Sequence, residues 1–233
     1  YKDANEYLLK ELLNPVENMQ SLKTQTQQPT AILAFGPAGA GKSYILNNHL
    51  STEYDFIKEK QYIDIDPDYI RSRMLYWNDK VISDPCEKNS PCYNKWTTPE
   101  KCQGRTPPLK TCIPKLGVYL ATGPEYNKLY QNLINESINK NYNIINTSGQ
   151  FSKLRALANK LLKNEKGYEV IYLLVVTTLE QVLENARERN KKEGRYTSEE
   201  YARKSYIGRM NDIQKVLTHA KKKGITLKMF KNE

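Results

Sequence analysis

The chain has 233 residues, 39% of them hydrophobic, and carries a formal net charge of +10 from 36 Lys and Arg against 26 Asp and Glu. That length supports one large domain, or one domain with an insertion, around a single α/β core. No run approaches the length of a bilayer span and the opening residues lack a signal-peptide pattern, so no membrane partner is expected and the expected compartment is the cytoplasm.

An opening helix is predicted over 3–13, with Tyr7, Leu8 and Leu12 on one side and Asn14-Pro15 as its stop. A polar stretch, 21–28, leads into Thr30 to Phe35, which reads as a buried strand. Directly after it comes GPAGAGKS, Gly36 to Ser43, which satisfies the phosphate-loop pattern G-x-x-x-x-G-K-[ST] at every fixed position. Tyr44 to Leu50 can continue as a helix. A strand, a glycine turn and a helix start in that order aim several backbone N–H groups at one point, where they hold phosphate oxygens. Lys42 can then reach the outer phosphates and the Ser43 hydroxyl can ligate Mg²⁺. The residues expected to contact a nucleotide are Gly36, Ala38, Gly39, Ala40, Gly41, Lys42, Ser43 and Tyr44.

A second strand is predicted over 61–65. Asp66-Pro67-Asp68 then opens a helix toward Trp77, with Pro67 at its first position. Phosphoryl transfer to a hydroxyl needs a carboxylate to orient the acceptor and take its proton, and Asp68 or Asp66 is placed for that. Arg71 lies one helical turn beyond Asp68, so both can face one ligand. The competing readings are structural: Asp66 as a helix N-cap and Asp68 as a first-turn acid.

From 83 to 115 the texture changes, with all four cysteines, six of the eleven prolines and few aliphatic residues. This stretch is expected to be an irregular insertion on the domain. Cys86, Cys92, Cys102 and Cys112 are separated by five, nine and nine residues, without a C-x-x-C pair. Zinc, two disulfides and free thiols all stay open. His49 and His219 fall within helical segments and read as surface or core residues.

Regular structure resumes near Thr122. Tyr126, Leu129, Tyr130, Leu133, Ile134 and Ile138 recur at helical spacing, and Tyr142 to Asn146 reads as a short buried strand. Thr147 and Ser148 follow it directly; their hydroxyls can bond a substrate or a metal-bound water, or form a polar turn capping the next helix. That helix carries Phe151, Leu154, Leu157, Ala158, Leu161 and Leu162 and stops at Gly167. Glu169 to Val176 is a strong buried strand, and Thr178 caps the helix after it. Arg187, Arg189 and Arg195 flank a turn at Gly194. They can close over triphosphate oxygens, or form an exposed charged helix end. A long helix then reaches Lys223, Gly224 stops it, and Ile225 to Phe230 is a last strand.

Strands alternating with helices imply an α/β fold: a parallel sheet covered on both faces, with ligand sites at the strand C-termini.

The segments PTAILAFGPAGAGKS, DPDYIR, NYNIINTSG, GYEVIYLLVV and RERNKKEGR, in that order between about Pro29 and Leu217, resemble the zeta toxin family of P-loop kinases, and through it polynucleotide kinases and chloramphenicol phosphotransferase. The resemblance implies one kinase domain over 1–233 that moves the γ-phosphoryl group of ATP or GTP to the hydroxyl of a small-molecule acceptor, such as a nucleotide sugar. It makes Lys42 and Ser43 the phosphate and Mg²⁺ residues, Asp68 the base, Arg71 a substrate contact, and Arg187 or Arg189 with Arg195 the lid arginines. The family usually carries an acid where this chain has Asn146, and commonly an arginine where it has Gln150. A 5′-hydroxyl polynucleotide kinase, suggested by the Asp68 to Arg71 spacing and the basic charge, is the first alternative. A catalytically degenerate fold kept as a binding module, suggested by Asn146, Gln150 and the insertion, is the second.

Overall fold

The computed structural model describes residues 7–13, 28–67, 69–70, 123–165, 167–193 and 199–232. Helix α1 (7–13) comes first, then strand β1 (Thr30–Phe35), helix α2 (Lys42–Asn48), a 3₁₀ turn (Leu50–Thr52), helix α3 (Asp55–Lys58) and strand β2 (Ile63–Asp64). Helix α4 (Gly123–Asn139), strand β3 (Ile144–Asn146), helix α5 (Phe151–Leu162), strand β4 (Glu169–Val176), helix α6 (Leu179–Glu193), helix α7 (Glu199–Lys223) and strand β5 (Thr226–Lys231) follow. The cysteine-rich stretch, Asp68, Arg71 and Arg195 lie outside the described residues.

All five strands pair in parallel, in the order β2-β3-β1-β4-β5. β1 is central, and every one of its six residues is buried. A central parallel strand is covered on both faces, so it reads as an unbroken apolar run rather than as an alternation. The pleat still divides its side chains. Ala31, Leu33 and Phe35 join one core with α4, α5 and α7, while Ile32 and Ala34 join a second with Ile45 and Leu46 of α2. The chain leaves β1 for one side of the sheet to build β2 and β3, then crosses to the other side for β4 and β5. The loop after β1 therefore sits where the connections diverge, the usual place for a ligand in an open α/β sheet.

Each residue of the Tyr126 to Ile138 stripe is buried, as its spacing predicts. β3 begins two residues later than expected because Tyr142 and Asn143 are used otherwise. The Asn143 side chain accepts from the Thr30 amide at 2.9 Å and donates to the Gln61 carbonyl at 3.2 Å, so side-chain bonds stand in for ladder bonds at this edge. The Thr178 hydroxyl accepts from the Gln181 amide at 3.2 Å and caps α6 as read from the sequence. α7 carries Glu199 and Glu200 in its first turn and Lys221 to Lys223 in its last, the charge order its dipole favours. No helix among the described residues is long and apolar enough to cross a membrane.

Candidate functional site

The loop after β1 is packed so closely that its first residue must be glycine. A Cβ on Gly36 would stand 2.5 Å from the Val175 carbonyl oxygen of β4, well inside contact distance. Gly39 and Gly41 both adopt φ 83, and Gly41 caps α2 without any side-chain acceptor for the first amides of the helix. The loop is held from outside. Asn185 of α6 donates to the Gly39 carbonyl at 2.7 Å and is itself oriented by Gln181, whose amide reaches its Oδ1 at 3.1 Å. Asn232, beyond β5, donates to the Ala40 carbonyl at 3.1 Å while its backbone amide bonds Val176 at 2.9 Å. These ties engage carbonyl oxygens of the loop, and within it the Ala40 amide bonds the Pro37 carbonyl at 3.2 Å.

Lys42 opens α2, and its ammonium bonds the Gly36 and Pro37 carbonyls at 3.1 and 2.9 Å. Ser43 and Tyr44 are exposed on the same turn. Tyr44 also meets the His49 ring edge-on at 6.0 Å, and His49 in turn lies 5.6 Å from Phe230.

Next to this loop, the ends of β2 and β3 are tied together. Asp66 is the N-cap of the helical turn that starts at Pro67, its Oδ1 accepting from the Tyr69 amide at 3.1 Å. Its other oxygen accepts from the Thr147 hydroxyl. Two residues expected to contact substrate therefore bond each other, and the capping role of Asp66 is realised. The Asp64 carboxylate accepts from the Asp66 amide at 2.9 Å. Burial and the neighbouring Asp66 carboxylate push the Asp64 pKa up to about 7 against that hydrogen bond.

Asn146 is fully buried. Its amide donates to the Tyr130 hydroxyl at 2.9 Å, and its Oδ1 accepts from the Ser148 amide at 2.9 Å. Ser148 does not cap α5: its hydroxyl is buried without a hydrogen-bond partner among the described residues, and the N-cap residue Gln150 makes no side-chain cap bond either.

Arg187 is exposed and bonds Glu199 at 3.2 Å, which joins the α6 surface to the start of α7. Arg189 lies on α6, with its side chain outside the described residues. Sequence reasoning missed Arg209. A Cβ placed on Gly149, at φ 64, would stand 2.8 Å from the Gly36 carbonyl, 3.7 Å from Lys42 Nζ and 3.9 Å from Arg209 Nε. So α7 delivers a guanidinium to the mouth of the loop. The signal was present: Ala202, Tyr206, Arg209, Ile213, Val216 and Ala220 share one helical stripe, whose other members pack inward.

Two residues of the set fit a magnesium nucleotide. The exposed Ser43 hydroxyl is available on the first turn of α2, and Lys42 stands beside the loop amides. Asn146 does not fit as a metal ligand, because both ends of its amide are bonded within the protein. No group of three or more metal-ligating side chains occurs among the described residues.

A five-stranded parallel sheet with helices on both faces, and a glycine phosphate loop with its lysine at the end of the central strand, define a P-loop kinase-like fold. The Zeta toxin family profile matches residues 115–233, just over half of the chain, and the chain belongs to that family. Solved structures share the fold. A chain from the PezAT chromosomal toxin–antitoxin system of Streptococcus pneumoniae is 17% identical with a TM-score of 0.58, the likeness covering 100% of this chain and 79% of that one. AvrRxo1-ORF1:AvrRxo1-ORF2, solved with ATP, is 14% identical with a TM-score of 0.62 over 99% of this chain and 63% of that one. The same complex with sulphate ions gives a TM-score of 0.64 at 14% identity. The present chain thus spans less than two thirds of the AvrRxo1 chain. No curated protein matches the sequence.

Proposed function

We propose that this chain is a kinase that transfers the γ-phosphoryl group of ATP or GTP to a hydroxyl of a small molecule, a nucleotide sugar being the first acceptor to try. The observation that carries the reading is the pre-shaped loop 36–42, tethered by Asn185 and Asn232, with the Lys42 ammonium at its mouth. A loop whose amides are fixed before the ligand arrives needs little reorganisation in the transition state.

In this reading the loop amides and Lys42 bind the β- and γ-phosphates. The Ser43 hydroxyl would hold Mg²⁺, which when bound would supply charge neutralisation on the phosphate oxygens. Asp68 takes the proton of the acceptor hydroxyl as the new O–P bond forms and the bond to the β-phosphate oxygen breaks. Arg71 contacts the acceptor. Arg187 or Arg189, with Arg195, closes over the phosphates and would have to release surface partners such as Glu199 to do so.

Labelled ATP offered with nucleotide sugars, other small hydroxyl compounds and a 5′-hydroxyl oligonucleotide tests the reading. Phosphorylated product is expected with the wild-type chain and none with Lys42→Ala. Equal turnover by both proteins would remove Lys42 from the mechanism, and labelling of the oligonucleotide alone would select the polynucleotide kinase.

A further inference from the structure

We propose that the furrow between α5 and α7 binds single-stranded nucleic acid by its phosphodiester backbone, without reading the bases. This face lies outside the phosphate loop, and the inference does not rest on the kinase reading.

Helical spacing builds the furrow. On α5 and its C-cap, Ser152, Arg155, Asn159 and Lys163 recur at intervals of three, four and four; on α7, Asp212, Lys215, His219 and Lys222 recur at three, four and three. The two stripes face each other, since His219 Nε2 meets Asn159 Oδ1 at 3.2 Å across the helix pair. Two adjoining clefts share Arg155. One runs from Gln150 and Arg209 past Asp212 and Lys215. The other is lined by Arg155, Asn159, Lys163, His219, Lys222 and Lys223, with no acid. Together they hold six Lys and Arg against one carboxylate, and that carboxylate, Asp212, already bonds Lys215 at 2.7 Å. The segments that lead into β1 and β4, 14–27 and 164–168, each contain one acid and one base, so they leave the sign unchanged. His219 senses the same field: burial first, then Arg155, Lys223 and Lys222, depress its pKa. Charges of one sign gathered this closely repel, and a polyanion relieves the repulsion.

Shape and chemistry select the occupant. From Ser152 to Lys163 the furrow runs about 16 Å at 1.5 Å per residue, the axial span of about four or five phosphates of one nucleic-acid strand. α7 packs on α5, and the axes of packed helices stand about 8–10 Å apart, a width for one strand rather than for a duplex. Arg155 and Lys163 stand exposed on one wall, Lys215, Lys222 and Lys223 on the other. The lining offers no exposed apolar or aromatic side chain, because Phe151 is buried, with the Arg155 guanidinium 5.9 Å from its ring centre. A folded protein partner needs such an anchor and stacked bases need such a platform. Contacts between cations and phosphates are what remain, and these carry no sequence information.

The test titrates a labelled single-stranded RNA of mixed sequence, at several salt concentrations, against the wild-type chain and two triple variants that lose equal charge. Lys163→Gln with Lys222→Gln and Lys223→Gln strips the furrow; Lys58→Gln with Lys128→Gln and Lys204→Gln strips exposed lysines elsewhere. Each lost phosphate contact lowers the slope of log affinity against log salt by about 0.7 on a single strand, so the furrow variant should lose roughly two from that slope. Its low-salt affinity should fall by about tenfold or more while the control variant stays within about threefold of wild type. Homopolymer RNAs should compete about as well as the mixed sequence. All six lysines are exposed, so melting temperatures near wild type are expected. Lys222→Gln alone, with about a third of the slope change, keeps the test open if the triple variant is unstable. The inference is overturned if both triple variants weaken binding equally, which marks diffuse attraction, or if the wild-type chain does not bind RNA at low salt. It is overturned too if polyglutamate displaces the label as well as unlabelled RNA does, which assigns the furrow to an acidic polypeptide.

Discussion

The Asn146 amide donates to the Tyr130 hydroxyl at 2.9 Å, in a position fully shielded from water between β3 and α4. Burial raises the tyrosine pKa and the bond from Asn146 partly offsets it, so the pair is neutral throughout the working range. Asn146→Ala strands the buried Tyr130 hydroxyl and the part-buried Ser148 amide. A loss of about 2 kcal/mol is expected, since each unpaired buried polar group costs about 1–3 kcal/mol. Tyr130→Phe should cost less, and denaturant unfolding of both variants and the double variant gives the coupling directly.

Gly36 admits no larger residue. Gly36→Ala drives a methyl group into the Val175 carbonyl, so either β1 and β4 separate or the loop moves. Destabilisation of about 1–3 kcal/mol is expected, in the range for overpacking, together with loss of nucleotide binding. Thermal unfolding and ATP titration read the two effects. Normal ATP affinity in a folded Gly36→Ala protein would show that the loop geometry is not the binding determinant.

Asn185→Ala should separate loop shape from overall stability. It releases the Gly39 carbonyl from α6 but leaves the Asn232 tie to Ala40 in place. One hydrogen bond has a net worth of about 1 kcal/mol, which corresponds to roughly five- to tenfold in affinity. ATP binding should weaken by up to that factor, with the melting temperature falling by no more than about 2–4 °C.

Asp64 gives the fold an acid-side preference. Its native pKa is raised to about 7, while the unfolded chain keeps an ordinary carboxylate value. Between roughly pH 4 and pH 7 the native state therefore holds a proton that the unfolded state has lost. The stabilisation is complete below the unfolded value and disappears as pH rises through 7. Asp64→Asn keeps an oxygen for the Asp66 amide without a charge to bury. It should unfold at higher denaturant than wild type at pH 8, by on the order of 2 kcal/mol, and match it near pH 4.

His219 works in the opposite sense. Its Nδ1 meets the Tyr172 hydroxyl at 2.9 Å and its Nε2 meets Asn159 Oδ1 at 3.2 Å. Burial first, then Arg155, Lys223 and Lys222, hold its pKa below the ordinary value. The native state thus binds fewer protons than the unfolded one below about pH 6.5, and stability should fall as pH drops through that region. His219→Gln should flatten that acid-side slope in pH-dependent melting curves.

How much of this is legible in the sequence depends on the range over which each feature is encoded. The phosphate loop is written in eight consecutive residues and its strand in the six before them, so both can be read locally. The stripe from Tyr126 to Ile138 is equally plain, because helical spacing repeats within one segment. The ties that shape the loop have no local signature: Asn185 meets Gly39 across 146 positions and Asn232 meets Ala40 across 192. The cap on Asp66 is readable locally, but its second bond, from the Thr147 hydroxyl, spans 81 positions. Arg209 needed a different question, namely why a charged residue interrupts an inward stripe.

The bond from Asn232 to Ala40 also has a bearing on biosynthesis. A ribosome makes the phosphate loop early, but the residue that clamps it is 192 positions later, directly after β5. Nascent chains halted before Asn232 emerges can assemble much of the sheet and still lack this clamp, so nucleotide competence should wait for the segment after β5.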